Sequence, residues 1–133
     1  MSNPTVWPCL NYRDAPGAIA FLGEAFGFVE SLVVPGERDG EVAHAQLTWP
    51  EGGGVMLGSA GRDESEFSRM PTSCASVYVV TADPHAVYAR ATAAGAAIVR
   101  EMRDEDYGST GFSARDLEDN IWSFGTYRGE TGA

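Results

Sequence analysis

The sequence predicts an α+β fold made of two βαβββ modules, and three observations carry that prediction. Two helix-like segments open and close on the same residue types, Asp14 to Gly27 and Asp83 to Gly95. Each is preceded by one strand-like stretch and followed by three more. A polar stretch without periodicity, residues 61–73, lies between the two sets. The expected organisation is a single domain over residues 1–133, with module 1 at about 5–60, a surface linker at 61–73 and module 2 at about 74–128.

In the first module the chain from Thr5 to Tyr12 reads as a strand. Asp14 is suited to accept hydrogen bonds from the first helical amides, and Pro16 fits a first turn that has no use for its missing N–H. Ile19, Leu22 and Phe26 recur at i, i+3 and i+7 as one buried stripe, and Gly27 stops the helix. Strands are expected at Val29 to Val34, Glu41 to Trp49 and Gly54 to Ser59. Pro35-Gly36, Asp39-Gly40 and Glu51-Gly52-Gly53-Gly54 mark the turns between them.

The second module repeats the plan: a strand over Ala75 to Thr81, then a helix capped by Asp83 with Pro84 first, Val87, Ala91 and Ala94 on one stripe, and Gly95 as the stop. Strands follow at Ala97 to Met102, Gly111 to Arg115 and Asn120 to Tyr127, with turns around Tyr107-Gly108 and Glu118-Asp119-Asn120. One helix covers only one face of its sheet. The open faces must therefore share a cleft or meet a second subunit.

Charge narrows the partners. Nine Arg, no Lys and nineteen Asp plus Glu give a formal charge of −10, a field that repels phosphate backbones and attracts cationic small molecules. No nucleic-acid partner is expected. Cys9 and Cys74 form neither a metal-ligand spacing nor a disulfide framework, and they read as free buried thiols in a reducing compartment. No apolar run approaches the ~20 residues of a membrane span. The opening MSNPTVWPC lacks the charged and apolar regions of a signal peptide, so the expected location is the cytoplasm, away from any membrane.

Tyr12-Arg13-Asp14 leading into Ala18-Ile19-Ala20-Phe21, then Phe26-Gly27-Phe28, and above all Asp116 to Tyr127 (DLEDNIWSFGTY), resemble the vicinal oxygen chelate superfamily. That superfamily includes glyoxalase I, bleomycin-resistance and fosfomycin-resistance proteins and extradiol dioxygenases. The resemblance runs from about Thr5 to Arg128 and implies cupped mixed sheets, the glyoxalase/bleomycin-resistance-like fold. Val42 to Leu47 and Tyr107-Gly108 place it nearest the small bleomycin-resistance-like members. One departure is Asp116-Leu117-Glu118-Asp119-Asn120, where the family carries Asp-Pro and a Gly. Asp119-Asn120 can still adopt the left-handed conformation such a turn needs.

The resemblance also implies where a divalent metal would be held: on the first and last strand of each module, by His, Gln or Glu. The matching positions fall at about Trp7, in Gly54 to Ser59, at Ala75 or Ser76, and at Ser123, and none supplies a strong ligand. No metal and no cofactor are therefore expected. A metal-free member resembles the bleomycin-resistance branch, whose homodimers sequester a cationic drug without catalysis.

Strict alternation in Val42 to Trp49 puts His44, Gln46 and Thr48 on one face and Ala43, Ala45, Leu47 and Trp49 on the other. Trp7, His44, Gln46, Met56 and Ser123 are the expected ligand-binding set in a homodimer. Trp7 and Cys9 share a strand face, while Trp122 and Phe124 alternate away from Ser123 and read as core. His85 and Tyr107 read as solvated. His44 has two readings, a ligand contact or base near neutral pH and a hydrogen-bonded structural residue. The alternative function is a glyoxalase-like lyase, isomerase or dioxygenase with an unconventional or absent metal site, using His44.

Overall fold

The computed structural model describes residues 4–62 and 65–132. Asp63 and Glu64 of the expected linker lie outside the described residues. Module 1 contains β1 (Cys9–Tyr12), α1 (Ala15–Phe21), which runs on into a π-helical turn (Leu22–Phe26), then β2 (Val29–Pro35), β3 (Val42–Thr48) and β4 (Gly54–Ser59). Module 2 contains β5 (Ser76–Val80), α2 (Pro84–Ala93), β6 (Ala97–Asp104), β7 (Thr110–Arg115) and β8 (Ile121–Gly125). The sheets repeat one topology, β1-β4-β3-β2 and β5-β8-β7-β6, with the first strand parallel to the last and the remaining pairs antiparallel.

The helices form where the caps require. Asp14 Oδ1 accepts from Gly17 N at 3.1 Å, and Asp83 Oδ1 accepts from Ala86 N at 3.1 Å. Gly27, at φ +94°, ends the first helical segment in the left-handed region, where a side chain would be strained. Leu22 and Phe26 are buried while Ile19 packs half-buried at the edge of the core. Several expected strand ends shift inward. The first strand begins at Cys9 rather than Thr5, because Pro4 and Pro8 bring no N–H to a ladder.

Across the seam the modules share one aromatic core. Phe26 lies 4.8 Å from Phe124 and 5.9 Å from Trp122, and Trp49 lies 5.7 Å from Phe124, ring centre to ring centre. Trp49 Nε1 donates to Val80 O at 3.0 Å, so β3 of one module is pinned to β5 of the other. The Asp116 carboxylate is buried and accepts from Tyr12 Oη at 2.6 Å, Trp122 Nε1 at 3.0 Å and the amides of Glu118 and Asn120. These donors replace the water a buried carboxylate loses. Asp119 stands at φ +69°, the left-handed conformation expected of this turn.

Two expectations change. Cys9 and Cys74 are exposed rather than buried: Cys9 points away from the helix side of an edge strand, and Cys74 lies in the loop before β5. The linker is also more than a solvated connector. It contains a 3-10 turn, Phe67–Arg69, and buries Ser68, whose Oγ lies 2.5 Å from Arg62 O and 2.8 Å from Ser65 O.

Candidate functional site

Alternation in β3 buries Ala45 and Leu47, with Trp49 beyond them, on the helix side, and it leaves His44, Gln46 and Thr48 half-buried on the open face. Strand register then builds a row across that face: Leu32 beside Gln46, Gln46 beside Met56, and Met56 beside Cys9. One step along, Val34 sits beside His44, and Asn11 beside Gly58. The open face of module 1 is thus apolar, with a few polar groups.

A cavity of about 340 Å³ opens on this face, lined by Met56, His44, Asn11 and Gly58 from the sheet and by Arg62 and Phe67 from the linker. The linker reaches it because the Asn11 side-chain amide donates to Phe67 O and, at 3.3 Å, to Met70 O. Arg62 is held against the end of β4 by its Nε, which donates to Ser59 O at 3.1 Å. A Cβ at Gly58 would stand 3.4 Å from Arg62 Nη2, so the guanidinium rests where glycine leaves the sheet bare. Gln46 Nε2 lies 2.9 Å from His44 Nε2. In this amide orientation Gln46 donates and the neutral imidazole carries its proton on Nδ1.

Of the five expected ligand residues, His44 and Met56 line this cavity, and Gln46 joins them through His44 and the register with Met56. Trp7 does not line it. Its indole is half-buried over Gly54, whose Cβ would stand 2.8 Å from Trp7 Cζ3, and its Nε1 donates to Pro4 O at 3.3 Å. Ser123 lies on the other sheet, beside Tyr78 and hydrogen-bonded to Ser113 at 2.7 Å. Asn11, Arg62 and Phe67 escaped the sequence reading, since only the folded linker brings them to the sheet.

The open face of module 2 differs in character. Arg100 pairs in register with Ser113, and both Arg100 and Arg103 bond Glu105 Oε1, at 2.9 and 2.5 Å. The Arg103 guanidinium beside Glu105 holds its carboxyl below the usual carboxylate range. Tyr78 donates to Tyr127 O at 2.7 Å, and partial burial raises its phenol above the ordinary value.

The positions matched to the superfamily's metal ligands do not fit a divalent ion. They carry an indole at Trp7, a hydroxyl at Ser123 already bonded to another hydroxyl, and Ala75 and Ser76. Among the described residues no three His, Cys, Asp or Glu side chains converge as a metal-holding group. No helix there is long and apolar enough to cross a membrane.

Comparison with known proteins places this geometry. TioX from Micromonospora sp. ML1 is 31% identical, with a TM-score of 0.78 over 94% of this chain and 98% of that one. A glyoxalase/bleomycin resistance protein from Streptomyces sp. CB03234, 21% identical over 92% of this chain and 98% of that one, shares the fold at a TM-score of 0.69. An uncharacterized protein of Mycobacterium tuberculosis (strain ATCC 25618 / H37Rv) is 33% identical over 130 residues, 92% of this chain and 74% of that one. The family model of the Glyoxalase/Bleomycin resistance protein/Dioxygenase superfamily matches residues 5–124. With two βαβββ modules joined at one aromatic seam, and that match along nearly its whole length, the chain belongs to this superfamily.

Proposed function

We propose that the protein binds a small molecule without a metal, in the manner of the superfamily's drug-sequestering members. The observation that carries this reading is the cavity of about 340 Å³ on the open face of module 1, within the size range of ligand sites. It is lined by an adaptable thioether, Met56, and an imidazole, His44. Strands that would need His, Gln or carboxylates to polarise a substrate oxygen carry none at the matching positions. No cofactor is part of this reading.

The proposal includes a homodimer. Leu32 and Val34 are 43% and 41% exposed beside Gln46 and His44, and apolar groups flanking a cavity favour cover by a second copy. Sedimentation tests it, with a dimer expected at micromolar concentration. The cavity itself is tested by labelling the methionine methyls and screening small molecules by NMR. A ligand that shifts the Met56 methyl and binds unchanged in the presence of a chelator supports the reading. Turnover of a dicarbonyl, thiol-adduct or catechol substrate, lost in His44→Ala with the fold intact, would replace it with the enzymatic reading.

A further inference from the structure

The cavity over β1, β4 and β3 continues past the edge of the sheet. β1 is the outer strand, and off its free edge lies a second cavity of about 360 Å³, walled on the far side by Met70, Ser73 and Cys74. Cys9, Leu10, Asn11 and Phe67 line both cavities, so the two are compartments of one groove that meet at the edge strand. Ser73 sets the second compartment apart. Its hydroxyl is buried and has no hydrogen-bond partner among the described residues. A buried hydroxyl left unpaired costs free energy, which a partner brought by a ligand restores. The strand adds further polar groups. Pro8 O and Tyr12 O accept from Met56 N and Ala60 N at 2.9 Å each, so alternation turns the N–H and C=O of Cys9 and Asn11 the other way, toward the free edge.

We infer that the ligand is elongated and spans both compartments, with an apolar body against Met56 and an uncharged amide off the β1 edge, where the Ser73 hydroxyl meets it; this rests on the small-molecule-binding reading above. An amide suits the second compartment because it donates and accepts at once, and so answers both a hydroxyl and a strand edge. Phe67 is exposed yet lines both compartments, which places an apolar ring where the ligand passes from one to the other. Cavities of about 340 and 360 Å³ together stay within the size range of sites for drug-sized molecules.

The test uses the full chain and three probes that share one apolar body: 6-(2-naphthyl)hexanamide, methyl 6-(2-naphthyl)hexanoate and the short 2-naphthylacetamide. Affinities are read by calorimetry, and occupancy by the methyl shifts of Met56 in the first compartment and Met70 in the second. The long amide is expected to move both methyls at one equivalent and to bind about tenfold or more tighter than the short one, which moves Met56 alone. Ser73→Ala should weaken the long amide about fivefold, leave the short amide unchanged, and keep or raise the melting temperature, since it removes an unpaired buried hydroxyl. A merely structural Ser73 would instead lower the melting temperature and weaken all three probes alike, which would overturn the inference. A long amide that moves Met56 without Met70, or that binds no tighter than its ester or the short amide, would overturn it and leave small-molecule binding standing. So would long-amide affinity unmoved by Ser73→Ala. Failure of all three probes to shift either methyl would overturn both.

Discussion

Glu51 and Glu118 occupy equivalent places, three residues beyond the third strand of their modules, and each carboxylate grips the chain that leads into the helix of the opposite module. Glu118 accepts from Arg13 N at 2.7 Å and Asp14 N at 2.8 Å. Glu51 accepts from Thr81 Oγ1 at 2.6 Å and Ala82 N at 2.8 Å. The duplication thus extends beyond strand order to a reciprocal clasp that ties each hairpin to the other half.

Removing one side of this clasp leaves backbone amides without their partner. Glu118→Ala is expected to cost about 1–3 kcal/mol in urea unfolding, because Glu118 is buried and its two amide donors lose a charged acceptor. Glu51→Ala should cost less, since Glu51 and Ala82 are exposed and water can take the place of the carboxylate at the Ala82 amide. The Arg13 ion pair, 3.8 Å from Glu118 with Arg13 largely exposed, should contribute little, so Arg13→Ala is expected to be near neutral.

Tyr12 makes the protein sensitive to base. Burial, with the Asp116 charge beside it, raises its phenol far above the ordinary value of about 10. The unfolded chain releases that proton above pH ~10 while the folded one keeps it, so stability is full below that pH and falls as pH rises beyond it. Absorbance titration should show one tyrosine ionising only on unfolding. Tyr12→Phe should lose about 1–3 kcal/mol at neutral pH and flatten the alkaline slope.

Two left-handed positions should respond in opposite directions. Asp119, at φ +69°, is strained for a residue with a Cβ, and Asp119→Gly is expected to leave stability unchanged or raise it by up to about 1 kcal/mol. Gly27, at φ +94°, ends the first helical segment, and Gly27→Ala should destabilise by about 1–2 kcal/mol. Thermal melts of the two variants give the signs directly.

Asn11 fastens the linker over the cavity, so Asn11→Ala should loosen residues 65–70 without unfolding the sheets. Loss of its bonds to Phe67 O and Met70 O predicts hydrogen exchange there faster by roughly tenfold, as expected for about 1.5 kcal/mol of local stability. Amides of β3 and β4 should keep their protection.

The parts of this structure governed by local chemistry were readable in the sequence. Asp14 and Asp83 cap because a short carboxylate reaches amides three residues on, and Ser123 separates from Trp122 and Phe124 because a strand alternates. The open-face placement of His44 and Gln46 followed from the same period. What escaped depends on contacts distant in sequence. Nothing local marks Asn11 as the residue that fastens Phe67 and Met70, and Glu51 and Glu118 read as turn carboxylates until the other module supplies their donors. The thiols depart from the usual burial of cysteine, because Cys9 falls on the open side of an edge strand and Cys74 in the loop before β5.

The most direct test of metal-independent binding is a calorimetric titration of chelator-treated protein with nickel, zinc, manganese and ferrous iron, read alongside the Met56 methyl and His44 ring resonances. The account predicts no one-to-one isotherm that moves those signals, and it predicts that a small molecule that shifts the Met56 methyl binds the same with and without metal. One equivalent of metal that shifts both Met56 and His44 and raises the melting temperature would contradict it.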